Sequence, residues 1–347
     1  MPRTSDLATR FRDQWARSFA GRSGPIVVAV SGGIDSMTLL ALLARERAGG
    51  DGLDLVAAHF DHGMRGPAGS EDGRFVEAVA GRWGVRAVRG SGDAPARARE
   101  NRRGPMTAAR ELRYSFLAGI AEREGAWAIA TAHQRDDRVE TALLRIVRGA
   151  SLEGLAGPKA MSERLGRSLI RPLLPYSRAE IERWAEESGV PFREDPSNRD
   201  PRYPRSRLRA ELLPLLRKMN PRADAAIARL ADLAAADAVW MRAATEELMR
   251  SATESRDERE WTLTAARMVD AHPALLGRAI VAAWAWSAPD GARPPDADWI
   301  GGVAKFLRGG RGGRVPAPGG GEIARRGPRV VVRRPFTVTE QREEISG

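Results

Sequence analysis

The stretch PIVVAVSGGIDSMTLLALLARE, residues 25–46, limits the possible fold more than any other part of the sequence. An apolar run from Pro25 to Val30 stops at Ser31-Gly32-Gly33-Ile34-Asp35-Ser36, and a leucine-rich pattern of helical period follows. A strand that feeds a glycine turn and then a helix N-terminus is built to grip phosphate. Glycines at 32 and 33 let the backbone come close, and the first free amides of the helix point at the anion. Ser31 and Ser36 add hydroxyl donors. The lysine of the familiar G-x-x-x-x-G-K-S/T loop is missing, and Asp35 stands in the loop instead. An aspartate among phosphates makes physical sense as a holder of Mg²⁺, directly or through water. Such a loop suits a reaction that leaves pyrophosphate intact, breaking the bond between the α- and β-phosphates and transferring AMP.

Residues 25–134 alternate apolar runs with helical patterns. Strands are expected at 25–30, 53–62, 85–90 and 126–133, and helices at 69–84, 107–125 and 135–149. The alternation predicts an α/β domain, a Rossmann-like parallel sheet with helices on both faces. Ligands of such sheets sit beyond the carboxyl ends of the strands. There fall the Ser31–Ser36 loop, His59-Phe60-Asp61-His62, and His133 with Asp136 and Asp137. Residues 169–190 add a short strand and an amphipathic helix, 192–209 read as an arginine-rich irregular stretch, and 208–252 as helical. The tail at 313–336 reads as a small strand-and-turn module, RGGRGG (308–313) as a tight hairpin in it, and the nine tryptophans as core. At 347 residues the chain is long for one core. Two domains are expected: 1–215, catalytic, and 216–347, smaller and mostly helical with a short β module.

Charge and cysteine content narrow the chemistry. The net charge is +11, and of 56 basic residues only Lys159, Lys218 and Lys305 are lysine. The positive excess suggests a polyanionic partner, with nucleic acid ahead of an acidic membrane. No apolar run approaches the ~18–20 residues of a membrane span, and residues 1–20 carry no apolar stretch for secretion, so the expectation is a cytoplasmic protein. Cysteine is absent, which excludes disulfides, thiolate metal sites, thiol nucleophiles and sulfur relays.

The S-G-G-x-D-S loop resembles the signature of the N-type ATP pyrophosphatases, or PP-loop enzymes, whose members adenylate a carbonyl oxygen and then displace AMP with a nucleophile. Without cysteine, the members that thiolate tRNA or draw on a cysteine glutaminase drop out, leaving attack by an amine or free ammonia. HFDHGMRGPAGSEDGRFV, AARELRYSFL, IATAHQRDDRVETALLRIVRGASLEGLAG, RPLL and EDPSNRDPRYPRSRLR occur in this order. With them, the chain resembles the tRNA(Ile)-lysidine synthase family over essentially its whole length. The resemblance implies that ATP, with Mg²⁺, adenylates the C2 oxygen of the wobble cytidine in a CAU-anticodon tRNA(Ile), and that the ε-amine of free lysine displaces AMP to give lysidine. It also implies a tRNA-recognising C-terminal domain and suggests a homodimer.

Carried onto this chain, the resemblance gives Ser31, Gly32, Gly33, Ile34, Asp35 and Ser36 to the ATP phosphates, with Asp35 on the metal. Lysine's amine has a free pKa near ~10.4 and needs a base or a desolvated pocket. Asp137, with His133 beside it, is the favoured group for orienting or deprotonating it. Arg110 and Arg113 lie one helical turn apart and are expected to steady phosphate charge or hold the tRNA backbone. His62, Asp136, Glu140, Arg148, Arg205, Arg207 and Arg209 are expected to meet lysine or tRNA. Ser206 stands where the family usually has Asn, and Met106 where it often has an acidic residue. Other readings of the same residues stay open. His59, His62 and His133 suggest a metal site but lack regular ligand spacing. Asp136, Asp137 and Glu140 also suit a solvated helix start. Arg110 and Arg113 also suit ion pairs with Glu111 or a neighbour. An amine- or ammonia-using PP-loop ligase acting on a small metabolite is the alternative function.

Overall fold

The computed structural model describes residues 5–19, 21–48, 53–194, 204–289 and 291–335. The chain forms two compact units, 1–235 and 236–347. The first begins with α1 (Ser5–Phe19), β1 (Pro25–Ala29), α2 (Ile34–Ala48), β2 (Asp54–Asp61), α3 (Pro67–Arg82) and β3 (Arg86–Ser91). It continues through α4 (Ala94–Glu100), α5 (Pro105–Arg123), β4 (Ala128–Ala130), α6 (Arg135–Val147), α7 (Leu152–Leu155), β5 (Met161–Arg164), β6 (Arg167–Ile170) and α8 (Arg178–Glu187). Next come α9 (Pro204–Arg207), a π turn (Leu208–Leu212), α10 (Leu213–Met219) and the long α11 (Ala223–Ala252). Residues 195–203, which hold most of the EDPSN run and of the expected irregular stretch, lie outside the described residues.

The sheet of this unit runs β3-β2-β1-β4-β6-β5, parallel except for the β5–β6 edge hairpin. Its helices cover both faces because consecutive strand residues point opposite ways. Ile26, Val28, Leu55, Ala57, Ala128 and Ile170 pack with α1, α2, α3 and α8. Their neighbours Val27, Val56, Ala58, Ile129 and Leu169 pack on the other side against Tyr114, Leu117, Ile120 and Ala121 of α5. The parallel sheet with helices on both faces is therefore the fold that the sequence alternation predicts. The chain order reverses between β1 and β4: β2 and β3 are laid down on one side of β1, and β4 starts the other side. A crevice opens at such a switch point beyond the strand ends, and it is where open α/β sheets bind ligands.

The second unit holds the end of α11, then β7 (Thr253–Arg256), β8 (Glu260–Thr264), α12 (Ala265–Val269), α13 (Pro273–Ser287), α14 (Ala297–Arg308), β9 (Gly313–Pro316), β10 (Glu322–Arg326) and β11 (Arg329–Arg333). An antiparallel sheet, β7-β8-β11-β10-β9, buries Trp261, Leu263, Ile323, Val330 and Val332 against Leu276, Ile280, Val303 and Leu307 of the helices.

Three details depart from the sequence expectations. The boundary between units falls within α11 rather than at 215/216, because the first turns of α11 pack Ala228 with Val139, Leu208 and Leu213. RGGRGG is not a hairpin. Arg308 ends α14, Gly310 takes a positive φ of 73° past the helix end, and β9 starts at Gly313. Trp240 is 66% exposed, so the tryptophans are not all core. Among the described residues, no helix is long and apolar enough to cross a membrane.

Candidate active site

The loop after β1 is closed by its own side chains. Ser36 Oγ donates to Gly33 O at 2.8 Å and accepts from Ser31 N at 3.1 Å; the two serine hydroxyls are 3.1 Å apart. Gly32 sits at φ +92°, a conformation that a side chain adopts only under strain. Arg193 N donates to Gly32 O at 2.9 Å, while its guanidinium pairs with Asp72 at 2.8 Å and Glu71 at 3.1 Å on α3. The loop is thus pinned from outside by a residue that the sequence reading did not single out. Ile34 sends its side chain into the core. Its share in a phosphate site is its main chain at the first turn of α2.

Asp35 is the loop's one carboxylate, and burial pushes it up to about 6 from the ordinary 3.8, against the pull of Arg178. Its Oδ2 accepts from Arg178 Nη1 at 2.5 Å. Its Oδ1 is buried with no hydrogen-bond partner among the described residues. A buried, unpartnered carboxylate oxygen is a hard donor of the kind Mg²⁺ takes, with phosphates and water filling the remaining positions. The residue present therefore fits the metal. The described residues hold no group of three or more His, Asp or Glu placed to bind a metal without the substrate. His59 is buried, with Nδ1 3.0 Å from Val30 O, and serves the packing at the foot of the loop.

Across the switch point, β4 leads through Thr131 and His133 into α6. His133 Nδ1 lies 2.9 Å from Thr131 Oγ1. Burial pushes His133 down to about 4; Asp137 opposes the shift, while Arg171, Arg110 and Arg113 add to it. The imidazole is neutral at physiological pH. The start of α6 is a capping box: Asp137 Oδ2 accepts from Gln134 N at 3.0 Å, and Gln134 Oε1 accepts from Asp136 N at 2.7 Å. Asp136 is raised by burial, and its Oδ1 accepts from Arg178 N at 3.4 Å. Glu140 is 1% exposed and also raised by burial. Both its oxygens bond Arg209, Nη2 at 3.0 Å and Nε on the other. Arg209 Nη2 is also 3.8 Å from Asp137 Oδ1.

These contacts sort the expected site residues. Arg178 ties Asp35 to Asp136, and Arg209 ties Glu140 to Asp137. Arg110 and Arg113 stack on the Tyr114 ring at 5.0 and 5.5 Å, with Arg164 over it at 4.2 Å. Three guanidiniums around one ring repel one another and concentrate positive charge there. Arg171, 6% exposed, lies close enough to depress His133 and is held by Lys159 O at 2.7 Å and Ser162 Oγ at 3.0 Å. Arg205 reaches Thr141 Oγ1 at 3.3 Å on α6. Arg207 pairs with Glu211 on its own exposed helix turn. Arg148 caps the far end of α6, about 20 Å from its first turn at the usual helical rise. His62 follows β2, and its Nδ1 accepts from Met64 N at 3.3 Å. Arg164, Arg171, Arg178 and Arg193 were missed. Only the R-P-L-L string, part of the resemblance, pointed toward one of them.

A family model described as the PP-loop domain matches residues 6–216. The tRNA(Ile)-lysidine synthase of Geobacter sulfurreducens is 40% identical over 225 residues, 65% of this chain and 47% of that protein. The tRNA(Ile)-lysidine synthase of a Synechococcus strain is 35% identical over 249 residues, 69% of this chain and 71% of that protein. The chain spans about half the length of the first curated relatives it matches, 47% and 53%. Among solved structures, the U34-tRNA thiolase NcsA of Methanococcus maripaludis superposes with a TM-score of 0.54 at 19% identity, covering 65% of this chain and 77% of that one. That likeness concerns the fold alone.

Proposed function

From the premise that the chain belongs to the PP-loop family and is a relative of the tRNA(Ile)-lysidine synthases, we propose that it ligates free lysine to the wobble cytidine of a CAU-anticodon tRNA(Ile) at the expense of ATP. The observation that carries the reading is the pairing of an intact S-G-G-x-D-S loop on β1 with a carboxylate and histidine cluster on β4–α6, facing each other across the switch point. It is supported by 35% identity over 71% of a lysidine synthase. The absence of cysteine leaves an amine or ammonia as the nucleophile.

In this reading the main-chain amides at the start of α2 and the hydroxyls of Ser31 and Ser36 bind the triphosphate. Asp35 holds Mg²⁺, which neutralises phosphate charge when bound. The cytidine O2 bonds to the α-phosphorus as the α–β bridge breaks and pyrophosphate leaves with the electron pair. Lysine's ε-nitrogen then bonds to C2, the C2–O bond breaks, and AMP departs with the oxygen. Asp137 orients the amine and takes up its proton, with the neutral ring of His133 beside it. Arg110, Arg113 and Arg164 hold phosphate charge, of the nucleotide or of the tRNA backbone. The net charge of +11 suits the RNA partner.

The test is pyrophosphate release by the purified chain with ATP plus lysine, tRNA(Ile) with the CAU anticodon, both together, or initiator methionine tRNA in place of the isoleucine tRNA. Release that requires the isoleucine tRNA is expected. Release indifferent to RNA would move the assignment to a small-metabolite ligase.

A further inference from the structure

The loop grips phosphate with amides and hydroxyls, carries no lysine, and contributes a negative charge through Asp35. A departing pyrophosphate concentrates negative charge at this spot, so a protein cation is needed beside the loop. Among the described residues, one guanidinium bonds the loop's carboxylate directly. Arg178, 143 residues further along the chain, donates Nη1 to Asp35 Oδ2 at 2.5 Å.

Arg178 is held where a phosphate ligand can meet it. It is the first residue of α8, a helix fixed by a capping box between Ser177 and Glu180. Its main-chain N–H reaches Asp136 Oδ1 at 3.4 Å, so the helix start bridges the two sides of the crevice. Its Nε donates to Glu182 Oε1 at 2.6 Å, one turn along the same helix. These two side-chain bonds use two of the five N–H donors of an arginine fork. The side chain is 41% exposed and that of Asp35 25%, so the pair lies at the open face of the site. Arginine is also the cation that matches phosphate oxygens two at a time.

Resting on the nucleotide reading above, we propose that Arg178 is the pyrophosphate-binding cation of this site, supplied by α8 in place of a loop lysine. Glu182 and Asp136 are its positioning partners. Asp35 holds the guanidinium at the loop until phosphate oxygens take it over.

The experiment titrates inorganic pyrophosphate with Mg²⁺, ATP with Mg²⁺, and AMP into the full chain by calorimetry, for wild type, Arg178→Ala, Arg178→Gln and Arg178→Lys. Loss of a charge-assisted fork should weaken pyrophosphate binding about ten- to a hundredfold in the alanine and glutamine variants. Arg178→Lys should recover the larger part of that loss. AMP, which lacks the leaving group, should bind within about twofold of wild type in all of them. If Arg178→Ala does not fold, the glutamine and lysine variants carry the same comparison with the apolar stem kept. Unchanged or tighter pyrophosphate binding without Arg178 would overturn the assignment, because the arginine would then be only a placeholder on Asp35. An equal loss of AMP affinity would overturn it too, by making Arg178 a scaffold for the whole crevice. A wild-type chain that binds neither ATP nor pyrophosphate would sink the nucleotide reading itself. Wild-type binding with an indifferent Arg178→Ala would sink this proposal alone.

Discussion

The loop after β1 and the carboxylates around it are built on opposite plans. The loop is local: Ser31, Gly33 and Ser36 bond one another within six residues, and the helix that follows takes up Met37 N on Gly33 O at 3.0 Å. Two of the carboxylates are held from far away. Asp35 is tied to Arg178 and Glu140 to Arg209, 143 and 69 residues along the chain. A locally closed loop presents the same amides to every phosphate it meets. A carboxylate held by a distant arginine gives it up when a better cation or anion arrives. The difference separates a rigid binding surface from a set of charges ready to exchange partners.

The largest effect expected from breaking this contrast comes at Asp35. Asp35→Asn should cut lysine- and tRNA-dependent pyrophosphate release about 10²–10³-fold, yet stabilise the metal-free fold. Burial holds the Asp35 proton up to about pH 6 in the folded chain, against 3.8 unfolded. Between those values the folded state binds more protons, so stability falls as pH rises, and the cost is complete above about pH 6. In EDTA at pH 8 the asparagine variant should gain up to about 3 kcal/mol, less whatever Arg178 loses as a partner. The gain should vanish below about pH 4, as denaturant unfolding at several pH values will read. A variant that is less stable at every pH would contradict the burial account.

Next comes Arg209→Ala, which strands Glu140 inside the protein. It should cost about 1–3 kcal/mol at pH 8. Glu140 is already raised by burial, so it takes up a proton readily, and the cost should shrink as pH falls. A pH-independent loss would mean that packing of the arginine stem, rather than the ion pair, is what matters. Gly32→Ala sharpens the loop side of the comparison. A Cβ there meets nothing closer than 3.7 Å, so the penalty is the strain of φ +92° alone, about 1–2 kcal/mol, measurable in the same unfolding experiment. Arg207→Ala should be smallest, with no measurable change in stability, because its partner Glu211 is an exposed neighbour one turn away.

The same contrast sets what the sequence made legible. The loop, the strand–helix alternation and the carboxylates at 136, 137 and 140 all announce themselves over a few residues. The β5–β6 hairpin did not: its turn is Leu165-Gly166, both at positive φ, where Asn-Gly would have been the visible signal. The short polar strand β7 and the one-turn helix α7 bury too little apolar surface to show a period. Arg178 was unreadable for a different reason. In the sequence it is one of 53 arginines, after a serine that caps a helix, and only the folded sheet brings it to Asp35. Arg209 was read as a tRNA contact from a run of arginines, whereas its guanidinium already grips Glu140.

The most direct measurement of the central claim is the chemical state of the RNA. After incubation with ATP, Mg²⁺ and isotopically labelled lysine, CAU-anticodon tRNA(Ile) would be digested to nucleosides and analysed by mass spectrometry. The account predicts a cytidine carrying the labelled lysine, confined to the wobble position and formed far more slowly by the Asp35→Asn variant. Unmodified cytidine in a reaction that still consumes ATP, or a label attached anywhere else, would contradict it.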